Sequence, residues 1–123
     1  AFVAPIYPVV SFTDECTHKR SRRGLLGEYR KCKTKYREML SLEKNVPTDC
    51  PPVFLVNCVD DPIVDYRNSE LLDSALTAQG VEHKYIQYAT GGHGFGASDE
   101  KGTPECRRWK EEFLTWMKEI VMR

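Results

Sequence analysis

Short apolar runs separated by amphipathic stretches give this chain its pattern. Residues 3–12 are apolar and nearly continuous, and residues 53–59 repeat that pattern between turn-forming residues. Residues 83–89 instead alternate between polar and apolar side chains. Continuous runs are typical of strands buried on both faces, and alternation is typical of a strand with one face exposed. The pattern therefore predicts three β-strands, the first of them interrupted by two prolines.

The stretches between these runs have helical periodicity. Residues 27–42 predict a helix or a pair of helical turns, after the strongly polar residues 13–23, which we interpret as a surface loop. Residues 68–79 predict a helix that ends at Gly80, where a C-capping glycine is common. Residues 104–122 predict a terminal amphipathic helix, with Thr103 as its N-cap and proline in its first turn.

Strands and helices thus alternate along the chain. This order predicts a single α/β domain over residues 1–123, in which a parallel sheet of three strands has helices on its faces. In such sheets the ligand site lies at the carboxyl ends of the strands. Asp60 and Asp61 follow the second predicted strand, and His93 follows the third. We therefore expect these side chains at one edge of the sheet.

Composition excludes several classes of partner. Eighteen basic residues balance eighteen acidic ones, so charge favours neither nucleic acid nor an anionic membrane surface. The longest apolar runs span about ten residues, half of the roughly 20 needed to cross a bilayer. Five cysteines without a repeated C-x-x-C indicate free thiols rather than a disulfide framework or a zinc ribbon. We expect no metal and no cofactor.

The first residues, AFVAPIYPVVSF, contain neither an initiator methionine nor a signal peptide. They read as a strand entered abruptly, so we expect a processed product or a fragment with further chain upstream. The free thiols favour the cytoplasm, but a secreted or periplasmic location stays open because a targeting segment could lie upstream.

The acidic and imidazole loops have a chemical interpretation. A carboxylate beside a histidine can accept a hydrogen bond from one ring nitrogen and leave the other nitrogen to act as a base. Glycines on both sides of His93 would let the backbone turn tightly around it. A glycine-rich surface loop with an incidental histidine is the alternative.

Two motifs carry a resemblance to a known family. D-P-I-V at residues 61–64, followed by N-S at 68–69, and G-G-H-G-F at 91–95 are similar to the carboxyl-terminal half of α/β-hydrolases of the esterase and lipase group. That branch includes acetylxylan-esterase-like and dienelactone-hydrolase-like proteins. The stretches YPVVSF and LLGE resemble two further parts of that family, the strand that follows its nucleophile helix and the cap-like segment after that strand.

The resemblance implies roles for individual residues. Asp61 would be the acid of a catalytic triad and His93 its general base, with Asp60 as the rival for the acid. Val64 and Phe95, inside the two motifs, would contact the substrate. Asp65 departs from the family pattern, which has proline there, and this leaves the local backbone geometry open.

The nucleophile of that family is missing from this chain. The family places it in G-x-S-x-G on a strand-to-helix turn, and an H-G-G-type loop further upstream supplies an oxyanion donor. Neither G-x-S-x-G nor H-G-G occurs in these 123 residues. A chain that starts at the sixth of eight strands would expose an unpaired strand edge. We expect that edge to bind either a separate amino-terminal half or a second copy of the chain.

Other residues carry weaker chemical readings. Cys58 and Cys16 are alternative nucleophiles that we interpret as structural, and a metal site combining Cys16 and His18 with the two aspartates lacks recognised spacing. The basic run at residues 18–24, HKRSRRG, could bind phosphate but is interpreted as a solvated loop. His83 is expected to be exposed at the start of a strand.

The sequence therefore predicts part of a serine hydrolase that cleaves small-acyl carboxylic esters, acetylated carbohydrate being one candidate substrate. The alternative is a non-catalytic hydrolase remnant that self-associates or binds a partner.

Overall fold

The structure is a computed structural model that describes residues 1–122. Its helices and strands are α1 (Lys19–Arg30), α2 (Thr34–Leu40), a 3₁₀-helix (Leu42–Lys44), β1 (Val53–Cys58), α3 (Arg67–Ala78), β2 (His83–Tyr88), α4 (Pro104–Arg107) and α5 (Trp109–Val121). Helices and strands alternate from β1 onward, as the sequence predicts.

The two strands β1 and β2 pair in parallel. Their register runs from Val53 opposite His83 to Cys58 opposite Tyr88, so both strands end at the same edge of the sheet. The whole of β1 is buried, as its continuous apolar sequence predicts. Parallel sheet with flanking helices is the predicted fold class, and it is confirmed.

The first predicted strand differs from the expectation. Residues 3–12 form no regular strand and instead make two isolated parallel bridges to β1, at Val3 and Ile6. Proline has no N–H to donate, and Pro5 and Pro8 interrupt the ladder. Tyr7 between them has a φ of 40°, which no strand residue adopts. The three-stranded sheet is therefore a two-stranded sheet with a bridged third segment.

Alternate residues of β1 belong to two different cores. Phe54, Val56 and Cys58 join a cluster that packs against α5 through Trp116. Val53 and Leu55 join a second cluster, which packs against α3. Because neighbouring side chains of a strand point to opposite faces, β1 fixes both helix layers.

The segment between the bridged residues and β1 is more helical than predicted. The expected loop at residues 13–23 is wrong from residue 19 onward, because His18 caps a helix there by accepting a hydrogen bond from the Ser21 backbone N–H through Nδ1. Gly27, with a φ of 84°, kinks that helix. Residues 31–33 then separate α1 from α2, so of the two predictions for residues 27–42 the pair of helical segments is observed and the single helix is not.

Asn68 connects α3 to the amino-terminal segment. Its Oδ1 accepts hydrogen bonds from the backbone N–H groups of Val10 and Ser11, both at 3.0 Å. Its Nδ2 donates to the carbonyl oxygens of Cys16 and Asp65, at 2.7 and 3.1 Å. Asn68 is fully buried, so these four bonds hold the loop after residue 12 against the loop after β1.

The single helix predicted over residues 104–122 begins where expected but is divided at Arg108 into α4 and α5. Thr103 Oγ1 accepts a hydrogen bond from the Cys106 N–H, and proline occupies the first turn of α4. Within residues 1–122, no helix combines the length and the apolar character that crossing a bilayer requires.

Candidate active site

The acidic and histidine loops lie side by side at the carboxyl edge of the sheet. Asp60 and Asp61 lie two and three residues after β1 ends, and His93 lies five residues after β2 ends. Because β1 and β2 are paired neighbours in parallel, their following loops emerge together. The topology thus brings together the residues that the sequence predicted to meet.

His93 is hydrogen-bonded to Asp61. The distance from Nδ1 to Oδ2 of Asp61 is 2.7 Å. A carboxylate accepts, so Nδ1 carries the ring proton that is donated. Within residues 1–122, Nε2 of His93 makes no hydrogen bond, and the side chain is 25% exposed. The arrangement leaves one basic nitrogen facing away from the acid.

The Asp61 carboxylate is held rigidly. Its other oxygen, Oδ1, accepts from the backbone N–H groups of Ile63 and Val64, at 2.8 and 2.9 Å. The side chain is only 1% exposed. With one oxygen fixed by the backbone turn, the other is aimed at the imidazole, which sets the orientation and tautomer of His93.

Asp60 has a different task. Its two carboxylate oxygens accept from the backbone N–H groups of the glycines before His93, Oδ1 from Gly92 at 2.8 Å and Oδ2 from Gly91 at 3.3 Å. Asp60 therefore ties the histidine loop to the loop after β1. The geometry pairs His93 with Asp61 and leaves Asp60 as a support for the loop.

Gly91 occupies a position where any Cβ atom would clash with the core. Its φ is 146°, and a Cβ atom there would lie 2.6 Å from both Cβ of Cys106 and Sγ of Cys58. Those two cysteines are completely buried. The loop can thus press against the core just before His93, and this close packing fixes the path of the backbone to the imidazole.

Tyr7 is a site residue that sequence reasoning missed. Its ring centroid lies 4.2 Å from that of His93, with the planes tilted by 49°. The same ring meets Phe95 edge-on, with centroids 5.0 Å apart. The available signal was position: Tyr7 lies at the carboxyl end of the segment bridged to β1, at the edge that carries Asp61 and His93.

Val64 and Phe95, the predicted substrate contacts, lie within the site region but are almost inaccessible. Val64 is 5% exposed and Phe95 is 2% exposed. Phe95 packs in the core cluster beneath Tyr7, and the Val64 N–H supports Asp61. Contact of these two side chains with a substrate stays a prediction.

The cysteine alternatives lose their chemical basis. Burial raises the pKa of the Cys58 thiol to about 12, helped by Cys106 and the two aspartates, so the reactive thiolate is suppressed. Burial and then a hydrogen bond with Asp14 raise the pKa of Cys16 to about 12, so its thiolate is suppressed as well. Within residues 1–122, no serine hydroxyl or thiol is hydrogen-bonded to His93.

A second aspartate–histidine pair lies elsewhere in the chain. Nε2 of His83 is 2.7 Å from Oδ1 of Asp73, and its Nδ1 is 2.8 Å from the carbonyl oxygen of Val81. The expectation of an exposed His83 is wrong, since its side chain is 13% exposed. Asp73 is ten residues upstream on α3, so only the tertiary fold creates this pair.

The sheet, the flanking helices and the position of the acid and histidine after neighbouring parallel strands define an α/β-hydrolase fold. The chain belongs to the prolyl oligopeptidase family, whose model matches residues 2–122. The predicted resemblance to the carboxyl-terminal half of esterase and lipase hydrolases is confirmed at the level of the family and fold.

Solved structures of similar proteins agree with this assignment. An acetyl ester-xyloside bifunctional hydrolase from Caldicellulosiruptor lactoaceticus is 30% identical, with a TM-score of 0.89 over 98% of this chain and 42% of that chain. The carboxylesterase Cest-2923 from Lactobacillus plantarum WCFS1 has a TM-score of 0.76 and 20% identity, over 98% of this chain and 45% of that chain. The present chain thus spans less than half of each.

A curated relative matches a smaller share of its own length. Endo-1,4-beta-xylanase B from Butyrivibrio fibrisolvens is 30% identical over 95 residues, which are 77% of this chain and 14% of that protein.

Proposed function

We propose that this chain supplies the acid and the general base of a serine hydrolase that cleaves carboxylic esters of small acyl groups. The observation that carries the proposal is the hydrogen bond from Nδ1 of His93 to the buried Asp61, which leaves Nε2 without a partner among residues 1–122. The similar proteins are an acetyl ester-xyloside bifunctional hydrolase and a carboxylesterase, and these activities favour acetyl groups on a carbohydrate as the substrate class.

Each residue of the pair would have a defined part in the reaction. A serine hydroxyl supplied from outside these 123 residues would attack the ester carbonyl while Nε2 of His93 takes its proton. The imidazolium would then return that proton to the departing alcohol, leaving an acyl-serine. Water, deprotonated in turn by His93, would release the acid and restore the serine. Asp61 would orient the ring and stabilise its charged form throughout.

The neighbouring residues would keep His93 in position for these steps. Asp60 holds the backbone before the histidine, and Tyr7 covers one face of its ring. Val64 and Phe95 would form one wall of the acyl pocket, and the part of the hydrolase that carries the serine would supply the other walls. No cofactor enters this scheme.

The amino-terminal edge offers a place for the part that carries the serine. Val3, Pro5 and Tyr7 use their backbone groups to bond with β1, through pairs such as Tyr7 N–H to the Val56 carbonyl oxygen at 2.7 Å. Ala4 and Ile6 lie between these residues, and because successive backbone groups alternate in direction, their N–H and C=O groups point away from β1. An additional strand could pair there, which would place its following loop beside His93.

The same edge supports a second candidate function. If a second copy of the chain pairs with it instead, the result is a self-associating module without a nucleophile. Exposed strand edges are templates for either form of pairing.

Hydrolysis of p-nitrophenyl acetate distinguishes these functions. The 123-residue chain alone should give no turnover and no acyl burst, whereas the chain combined with an amino-terminal portion bearing G-x-S-x-G should turn over. Light scattering on the same samples reports association. A stable dimer of the chain that excludes the amino-terminal portion, with no turnover in the mixture, would reject the esterase proposal in favour of the module.

A further inference from the structure

A strongly basic cavity lies between α1 and α2, away from the acid–histidine pair in sequence. Its volume is about 400 Å³. Six cationic side chains and one thiol line it, namely Lys19, Arg20, Arg22, Arg23, Lys31, Arg37 and Cys32. This is the basic run that we interpreted from sequence as a solvated loop, and the fold turns part of it inward.

The positive charge of the cavity is only partly compensated. Glu28 is the carboxylate that pairs with its lining, at 2.8 Å from Lys31 and 3.7 Å from Arg23. Within residues 1–122, no carboxylate lies within ion-pair distance of Arg22 or Arg37. A chain that is neutral overall therefore concentrates unpaired cations at one place.

Arg22 brings an unsatisfied donor to the cavity. Its Nη1 donates to the Phe12 carbonyl oxygen at 3.4 Å, but its Nε is buried without any hydrogen-bond partner. Burial, and next the charge of Arg37, lower the pKa of Arg22. A buried donor of a charged group is costly when it is unsatisfied, and the nearby positive charges of Arg22 and Arg37 repel each other. An oxyanion between them would relieve both costs.

The position of Arg22 links the cavity to the functional edge of the sheet. Phe12, which accepts from Arg22, lies beyond the carboxyl end of the segment bridged to β1. Asn68 then binds both Ser11 and Cys16 on that side, so the chain leading into α1 is fixed beside the loop after β1. The cavity and the acid–histidine pair are thus built on loops from the same edge.

We propose that the cavity between α1 and α2 binds a compact oxyanion, a carboxylate or a phosphate, between the guanidinium groups of Arg22 and Arg37. Guanidinium groups form paired hydrogen bonds with both kinds of oxyanion. The site stands apart from ester hydrolysis, because its occupancy requires neither the nucleophile nor His93.

Isothermal titration calorimetry tests the site directly. Pyrophosphate represents a free phosphate anion, D-glucuronate represents a carboxylate carried by a sugar, and D-glucose is the neutral control. We expect one pyrophosphate or one glucuronate per chain and no binding of glucose; the tighter of the two identifies the source of the anion. Absence of binding for both anions would overturn the proposal.

Matched variants separate a site from general attraction. Arg22→Gln with Arg37→Gln should weaken anion binding at least about tenfold. Arg30→Gln with Lys35→Gln removes the same charge from the same helices outside the cavity lining and should leave affinity within about twofold. Equal losses in both double variants would contradict a defined site. Circular dichroism checks that each variant is folded.

Cys32 provides a second readout that needs no variant. Its thiol lines the cavity and is exposed, whereas Cys16, Cys58 and Cys106 are buried. Anionic iodoacetate should alkylate Cys32 several-fold faster, relative to neutral iodoacetamide, than it alkylates free cysteine. Pyrophosphate should slow both reagents. A relative rate equal to that of free cysteine, unaffected by pyrophosphate, would overturn the proposal.

Discussion

His93 and His83 each face an aspartate at 2.7 Å, yet their surroundings differ. Nδ1 of His93 is bonded to Asp61, and Nε2 has no partner among residues 1–122. Both nitrogens of His83 lie against acceptor oxygens, one of Asp73 and one of Val81. A general base needs a ring nitrogen that is free to accept a proton. The two pairs therefore differ in the partner of the second nitrogen and not in the distance to the carboxylate.

The supports of the two pairs differ as well. The Asp61 side chain is 1% exposed and is fixed by two backbone N–H groups. The Asp73 side chain is 36% exposed and projects from α3. The His93 loop is packed against buried cysteines through Gly91. Preorganisation of this kind is typical of catalytic groups, and the His83 pair instead connects α3 to the start of β2.

The largest contrast should appear in the histidines. In the protein assembled with its serine-bearing portion, His93→Ala should lower kcat/KM for p-nitrophenyl acetate at least about a thousandfold, because the base is lost. His83→Ala should leave kcat/KM within about threefold and reduce the free energy of unfolding by about 1–3 kcal/mol, because its bonds are structural. Equal effects of both changes on kcat/KM would remove the distinction.

The aspartates should repeat that contrast. Asp61→Asn should lower kcat by about a thousandfold while the fold persists, because the amide no longer fixes the tautomer of His93. Asp73→Asn should not alter kcat by more than about threefold. The measurement is kcat at saturating ester for each variant, with circular dichroism as the check on folding. Full activity of Asp61→Asn would show that Asp61 is not the acid.

The loop before His93 can be tested with two neighbouring glycines. Gly91→Ala should lower the free energy of unfolding by about 3 kcal/mol, because its new Cβ would overlap Cys58 and Cys106. Gly92→Ala, with a φ of 71° and open space around it, should cost about 1 kcal/mol from backbone strain alone. Urea unfolding measures both. Similar losses would mean that the close packing at Gly91 is unimportant.

Asp60 should have a smaller effect than Asp61. Asp60→Asn keeps one acceptor oxygen of the two that hold the histidine loop, so we expect kcat to fall about tenfold. Asp65→Asn is the matched control, because within residues 1–122 its carboxylate is hydrogen-bonded only to the backbone and side chain of Arg67. A loss at Asp60 as large as that at Asp61 would reopen the choice of acid.

Alkaline pH should weaken the core that supports the site. Cys58 holds its proton in the folded chain to a pKa of about 12, against an ordinary value of 9.0. Between pH 9.0 and about 12, the Cys58 thiol therefore loses its proton on unfolding. The stability that the protonated thiol contributes is complete below pH 9.0 and is lost as the pH rises toward 12. The slope for this group is at most about 1.4 kcal/mol per pH unit. Cys58→Ala should show a shallower alkaline loss in urea unfolding.

Local patterns predicted much of this molecule. The apolar run of β1, the periodicity of α3 and the cap at Thr103 are local signals. The first two led to elements with boundaries close to those observed, and the third marked the start of α4 but not its end. The motif residues Asp61 and His93 were predicted to meet because neighbouring parallel strands end together, and their side chains are hydrogen-bonded. Their catalytic roles stay predictions.

What the sequence did not predict depends on contacts between distant residues. Tyr7 reaches His93 because the amino-terminal segment is bridged to β1, and Asp73 reaches His83 because α3 packs across the sheet. The helix after His18 was missed because its start rests on a histidine cap, which is an unusual N-cap residue. Pro5 and Pro8 can be seen in the sequence, but their effect appears only in the structure, where the segment forms two isolated bridges to β1 in place of a regular strand.

The most direct test of the central claim is to label the whole protein with a fluorophosphonate and locate the adduct by mass spectrometry. We expect labelling of one serine outside these 123 residues, at a rate that His93→Ala lowers at least about a hundredfold and His83→Ala leaves unchanged. Labelling within the 123 residues, or a rate insensitive to His93→Ala, would contradict it.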